Sequence, residues 1–261
     1  MKVLFLGDIF GTPGVKATIS ELPKLKQKFK PDFIIVQGEN ISGRKGLETK
    51  EYKLLKKAGV NAFTMGNHVF AKSDILNLFK FKDIIRPYNV KKNVPGFGSL
   101  LFKVNNKMLR VSSFMGIAFN ELYKPWKQKY AYNFFDSFDE LDKINKADYH
   151  FIDFHAETTS EKSVFGLYVD GKVNAIVGTH THIQTSDNKT LPKGTAFITD
   201  VGMNGPINSA IGADYLSVYK KMRYDEMSKF TVSKNKCRIN AVLINMCKRK
   251  NTIKRINYEV I

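Results

Sequence analysis

The chain has 261 residues, 43% of them hydrophobic, with 42 Lys and Arg against 24 Asp and Glu, for a formal net charge of +18. That length supports a self-sufficient core. The only two cysteines, Cys237 and Cys247, fall in a strand-like C-terminal segment, which excludes a disulfide framework and reads as reduced, buried thiols. The apolar run after Lys2 is too short for a signal peptide and no segment is long enough to span a bilayer, so a cytoplasmic protein without a membrane partner is expected. The basic excess admits polyanions, RNA among them. Its lysines are dispersed, however, and the denser runs at Lys24–Lys28 and Lys248-Arg249-Lys250 carry no interleaved aromatic platform, so the charge reads as a solvated surface.

In chain order, Lys2–Gly7 is a strand ending in Asp8, and Thr12 can cap a helix whose first turn carries Pro13. Val15, Ile19, Leu22 and Leu25 recur at helical spacing, with Pro23 expected to kink or interrupt the helix. A second strand, Asp32–Gln37, ends in Gly38-Glu39-Asn40; a loop over Ser42–Gly46 leads to a helix over about Glu48–Ala58. Ala62–Met65 is a third strand, ending in Gly66-Asn67-His68, and Ser73 can cap the helix after it. Ile84–Tyr132 is less regular, with strands at Leu100–Val104 and Met108–Val111 joined by a hairpin at Asn105-Asn106.

Asp139–Lys146 reads as helix, Tyr149–Phe154 as a strand ending at His155, and Thr158-Thr159-Ser160-Glu161 as a capping box. Val173–Val177 is a short buried strand running into Gly178-Thr179-His180-Thr181-His182. From an extended segment these two imidazoles point the same way and reach one ion or two neighbouring ones. Gly194–Thr199 is a strand, Asp200–Pro206 a loop, and the tail from Lys229 to Ile261 two or three antiparallel strands. No repeat or linker appears, so one domain over residues 1–261 is the economical reading, an α/β chain with two packed sheets and helices outside.

Five apolar strands thus finish in metal-ligand types: Asp8; Glu39 and Asn40; Asn67 and His68; His155; His180 and His182. Strands lying side by side in one direction would bring these ends together. Carboxylate, amide oxygen and imidazole without thiolate suit manganese, iron or zinc. Seven of these as ligands are too many for one tetrahedral ion, but two ions about 3.5–4 Å apart with a bridging carboxylate would use seven and leave His68 over. Phe10, Phe70, Phe119 and Trp126 are aromatics able to stack on a base, and nothing in the sequence selects one. The glycines near Gly7 and Gly11 do not form a P-loop.

The series Gly7-Asp8, Gly38-Glu39-Asn40, Gly66-Asn67-His68, His155 and Gly178–His182 resembles the calcineurin-like metallophosphoesterase superfamily. Asp153–Glu157, Thr159–Lys162 and Thr199–Met203 narrow the resemblance to the YmdB-like branch of cyclic-nucleotide phosphodiesterases, over nearly the whole chain. Two departures from the wider superfamily belong to that branch: Phe10 stands where a ligating His is usual, and Glu39 where an Asp is usual.

The resemblance implies a four-layer α/β/β/α sandwich and two metal ions, iron or manganese, with zinc admissible. Asp8, Glu39, Asn40 and His182 would hold the first and Glu39, Asn67, His155 and His180 the second, so that His180 and His182 serve different ions. Such a pair lowers the pKa of a bridging water, whose hydroxide attacks phosphorus in line, and neutralises charge on the equatorial oxygens. His68, beside Asn67, is left as the general acid at the leaving oxygen, against a reading as a further ligand or a packing residue. His150, in the body of a strand, is a structural or surface residue; Asp153 and Glu157 are candidates to orient ligating imidazoles. The implied substrates are 2′,3′- and 3′,5′-cyclic nucleotides. A phosphomonoesterase or nuclease using the same site, or a basic RNA-binding regulatory protein with a structural metal site, are the rivals; a homo-oligomer is expected from family analogy alone.

Overall fold

In the computed structural model, which describes residues 1–144, 147–227, 229–248 and 250–260, the N-terminal third alternates strand and helix. It comprises β1 (Lys2–Leu6), β2 (Asp8–Ile9), α1 (Gly11–Phe29), β3 (Phe33–Gln37), α2 (Thr49–Ala58), β4 (Ala62–Thr64), α3 (Ile75–Leu78) and β5 (Ile84–Ile85). The middle adds β6 (Ser99–Val104), β7 (Lys107–Met115), α4 (Phe134–Asp142), β8 (Tyr149–His155), α5 (Thr159–Tyr168) and β9 (Ala175–Thr179). The remainder is β10 (Lys189–Thr190), β11 (Ala196–Ile198), β12 (Met203–Pro206), α6 (Tyr215–Tyr224), β13 (Cys237–Asn245) and β14 (Thr252–Glu259).

These strands form two sheets. The first has the order β2-β12-β13-β1-β3-β4-β5, with β14 on the other side of β13; the second has the order β10-β11-β9-β8-β7-β6. β1, β3 and β4 run parallel, as do β7, β8, β9 and β11. The period-2 side-chain alternation decides what each face meets. Leu4, Leu6, Ile34 and Val36 pack in one core cluster with Leu22 and Leu25 of α1 and Leu55 of α2. Val3, Phe5, Phe33 and Ile35 join Val111, Phe151 and Val177 of the second sheet in another. Ile152, Phe154 and Ile176 pack against Phe134 and Phe138 of α4 and Phe165 of α5. Strands buried on both faces explain the continuous apolar runs of β1 and β3. Among the described residues, no helix is long and apolar enough to cross a membrane.

Several local expectations change. α1 starts at Gly11 with no side-chain cap from Thr12 and runs through Pro23 to Phe29. Gly11 takes a φ of 61° and donates its N–H to the Asn40 carbonyl at 2.9 Å, so a tertiary bond replaces the cap. Pro23 is exposed, so the carbonyl it leaves unpaired can be hydrated and the helix continues. Asp74, not Ser73, precedes α3. α4 lies earlier than Asp139–Lys146, because the Asn133 side chain accepts from the N–H groups of Phe135 and Asp136; residues 145 and 146 of the expected helix lie outside the described residues. The expected loop at Asp200–Pro206 contains β12, which pairs with β2 and β13. Cys237 is buried but Cys247 is exposed.

His150 sits in β8, its Nε2 2.9 Å from Ser112 Oγ and its ring stacked 6.4 Å from Phe138. Burial, aided by Arg110, pushes its pKa down from 6.5 to about 3. It is therefore neutral in the fold while the unfolded chain takes up a proton below its ordinary pKa, so stability is lost as pH falls through that window. His150→Gln is expected to remove up to about 1.4 kcal/mol per pH unit of this acid-side slope, read from urea unfolding at pH 6.5, 5.5 and 4.5. An unchanged slope would refute the assignment.

Candidate metal and phosphoester site

The parallel strands deliver their ends to one cleft. Asp8 follows β1, Glu39 and Asn40 follow β3, and Asn67 and His68 follow β4, while from the second sheet His155 closes β8 and His180 and His182 follow β9. All eight residues singled out in the sequence are joined by short contacts. Glu39 Oε1 lies 3.0 Å from His68 Nδ1 and 3.2 Å from His155 Nε2. His155 Nε2 lies 3.1 Å from Asn67 Oδ1 and 2.9 Å from His180 Nδ1. Asn40 Nδ2 lies 3.2 Å from His182 Nε2, whose other near neighbour is Asp8 Oδ1 at 3.7 Å.

The two imidazoles of the Gly178–His182 run do not leave an extended strand together. β9 ends at Thr179, and His180 and His182 take φ values of 103° and 67°. That backbone is unfavourable for non-glycine residues. It sends His180 to the Glu39, Asn67 and His155 group and His182 to Asp8 and Asn40.

Each of these three histidines has its outer ring nitrogen beside an oxygen. His182 Nδ1 lies 2.9 Å from the Ile211 carbonyl and His180 Nε2 3.1 Å from Glu157 Oε2. His155 Nδ1 lies 2.9 Å from Thr179 Oγ1, whose hydroxyl donates to Asp153 Oδ1 at 2.7 Å. With those nitrogens donating, the inner ones keep bare lone pairs facing Glu39, Asn40 and Asp8. Two bare nitrogens 2.9 Å apart, His155 Nε2 and His180 Nδ1, repel unless a cation or proton lies between them. Glu39, His155 and His180 offer ligand atoms all within 4.8 Å of one another, so the donor set fits a metal ion.

The protonation pattern of the metal-free side chains points the same way. Burial raises the Glu39 carboxyl, yet His155 and His68 overcome it and hold Glu39 well below the usual carboxylate range. Burial opposes the charge on His155, and Glu39 raises it to about 9; burial and His155 push His180 down to about 3. One proton held between paired imidazoles therefore stands where positive charge is wanted. Burial raises Asp8 against the pull of His182 and His155.

Supporting residues were invisible as contacts in the sequence. Asp200 Oδ2 accepts from Thr181 N at 3.1 Å, Thr181 Oγ1 at 2.8 Å and Lys162 Nζ at 2.7 Å, fixing the histidine loop to α5. Gln37 Oε1 accepts from the Glu39 N–H at 3.0 Å, which fixes the backbone that carries Glu39. The one available signal was a lysine at an inward position of α5, where Lys162 is buried. Thr158 caps α5 by accepting from the Glu161 N–H, and the Glu161 side chain turns elsewhere: its Oε2 accepts from Thr158 Oγ1, and its Oε1 accepts from the N–H groups of Ile117 and Ala118. Gly66 leaves no room for a side chain, since a Cβ there would lie 2.2 Å from His155 Cδ2 and 2.3 Å from Glu39 Oε2.

A sequence profile of the YmdB-like protein family matches residues 4–258. The chain belongs to the YmdB-like family. A relative in Bacillus subtilis, named 2′,3′-cyclic-nucleotide 2′-phosphodiesterase, is 41% identical over 250 residues, covering 94% of this chain and 91% of its own. The crystal structure described as a novel phosphatase from Mycoplasma pneumoniae superposes with a TM-score of 0.91 at 38% identity, over 99% of this chain and 93% of that one. A 5′-nucleotidase precursor from Thermus thermophilus shares the fold alone, with a TM-score of 0.59 at 10% identity over 100% of this chain and 54% of that one. This YmdB-like chain is a hydrolase acting on phosphoesters, built on a mixed α/β fold of two sheets and helices.

Proposed function

We propose that the chain is a dinuclear-metal phosphodiesterase that hydrolyses cyclic nucleotides, the 2′,3′- and 3′,5′-cyclic monophosphates, on an α/β/β/α sandwich. The observation that carries this reading is the set of inner imidazole nitrogens facing Glu39 and Asp8 while the outer ones lie beside Ile211, Glu157 and Thr179. Asp8, Glu39, Asn40 and His182 would hold one ion and Glu39, Asn67, His155 and His180 the other, with Glu39 shared. Iron or manganese suits these oxygen and nitrogen donors, and zinc is admissible. When bound, the ions supply Lewis acidity and positive charge to the reacting phosphate.

The chain's own groups supply positioning and proton transfer. His68 donates one hydrogen bond from its backbone N–H to Glu39 Oε2 at 3.2 Å, and its Nδ1 faces Glu39 Oε1 and Asn40 Oδ1. That leaves Nε2 to protonate the leaving oxygen of a bound diester. His68→Ala is expected to lower kcat on 2′,3′-cyclic AMP by about 10²–10⁴-fold. The variant should keep its metal content by elemental analysis of protein purified without added metal. An unchanged kcat sinks the acid role; preference for p-nitrophenyl phosphate over bis-p-nitrophenyl phosphate in the unaltered protein sinks the diesterase reading.

A further inference from the structure

The cleft has two arms. One, about 530 Å³, is walled by Phe119, Tyr123 and Tyr130; the other, about 560 Å³, by Ile211, Met222 and Phe230. Lys45, His68 and His180 line both, so the arms meet at the candidate centre. In a cyclic nucleotide both ester oxygens return to one ribose, and its single base occupies one arm. An acyclic diester carries a separate organic group on each ester oxygen, and phosphorus placed between the arms sends one group into each.

The walls offer apolar and aromatic surface to a planar guest. Of the four aromatics the sequence put forward, Phe70 and Trp126 pack edge-to-face at 4.9 Å and Phe10 packs on His182 at 5.4 Å. Phe119 alone is displayed, 91% exposed. Its loop is held firmly, with Ile117 and Ala118 tied to Glu161 and Asn120 Nδ2 donating to the Gly116 carbonyl at 3.2 Å. Within this fixed loop Phe119 takes a φ of 53°, a conformation that costs free energy while leaving an apolar ring in water. Across the cleft Ile211, a β-branched residue at a φ of 46°, points its carbonyl at His182 and is 53% exposed. The Arg44 guanidinium lies over the Phe230 ring, 5.6 Å from its centre. Strained backbone with exposed apolar side chains on both walls, Lys45 lining both arms, Arg44 the second, and the carboxylates of Glu121 and Glu157 one arm each, matches the stacking recognition of single-stranded nucleotides.

We infer that the cleft also hydrolyses linear dinucleotides, with the phosphate at Glu39, His155 and His180, one base on Phe119 and the other against Phe230 and Ile211. The inference rests on the phosphodiesterase reading and extends its substrate class. Water oxygen bonds to phosphorus as the P–O bond to one nucleoside breaks. One hydrogen of the water ends on the departing nucleoside hydroxyl and the other is released as a proton, leaving a nucleotide monoester.

The test gives the metal-loaded protein adenylyl-(3′→5′)-adenosine, 2′,3′-cyclic AMP and, as a base-free diester, glycerol 1,2-cyclic phosphate. The dinucleotide is expected to yield adenosine and an adenosine monophosphate. In Phe119→Ala the ratio of kcat/KM for the dinucleotide to that for the glycerol diester should fall about tenfold, the scale of one base–aromatic stack, and Phe119→Tyr should restore it. Hydrolysis of cyclic AMP without the dinucleotide overturns the inference and leaves the cyclic-nucleotide reading standing. Hydrolysis of neither overturns both. An equal fall on the dinucleotide and the glycerol diester in Phe119→Ala shows a merely structural role and also overturns the inference.

Discussion

Glu39→Gln is expected to strip the purified protein of metal and to lower kcat/KM on bis-p-nitrophenyl phosphate by about 10³-fold or more, beyond the 10–100-fold typical of residues that only support a ligand. Glutamine preserves the shape of a side chain that is 1% exposed, so the loss isolates the charge. That charge faces His68, His155 and the His68 N–H within 3.2 Å. Among the described residues, Asp8 contacts His182 and the His180 backbone N–H, and Glu157 faces the outer nitrogen of His180, so neither stands in its place. Full metal content with turnover within tenfold of the unaltered protein would remove Glu39 from the centre of the site.

Lys162→Met is expected to cost about 3–5 kcal/mol of stability, since it leaves Asp200 as an unpaired charge in the interior. Both side chains are 1% exposed and their Nζ and Oδ2 atoms lie 2.7 Å apart. For a domain of this size the thermal midpoint should drop by roughly 10 °C. Adding Asp200→Leu should recover part of that loss, because no lone charge remains, yet activity should stay low. Asp200 also holds Thr181 and Gly202, and without it the backbone bearing His180 and His182 loses its anchor. A single Lys162→Met variant melting within 2 °C or so of the unaltered protein would show that the pair contributes little.

What the sequence displays and what it hides follow from sequence distance. Strand ends are local: an apolar run breaks at Gly7, Gly38 or Gly66, and the polar residue after it is visible, which is how Asp8, Glu39 and Asn67 stand out. That they meet depends on parallel pairing, which the alternation of strand and helix already implied. Conformations that oppose local preference escape such reading. Nothing near His180, His182 or Phe119 announces a positive φ in a non-glycine residue. Partnerships across the chain escape it too: the Asn40 carbonyl that caps α1 lies on a different loop, and Thr179 finds Asp153 on a neighbouring strand. The local cap signal at Thr12 misled because the Asn40 carbonyl supplied the start of α1 instead, and at Ser73 the helix begins one residue later than the signal.

The place of β13 in the first sheet has a consequence for synthesis. β1, which carries Asp8 at its end, is bordered on one side by β3 and on the other by β13, whose Leu243 and Val242 face Leu4 and Phe5. β3 emerges from the ribosome soon after β1, whereas β13 begins at Cys237. At about 5–20 residues per second, roughly ten seconds or more separate the two. During that interval β1 presents an open strand edge, the kind that pairs with foreign strands. A nascent chain of this protein therefore carries that edge unpaired until its last tenth is made.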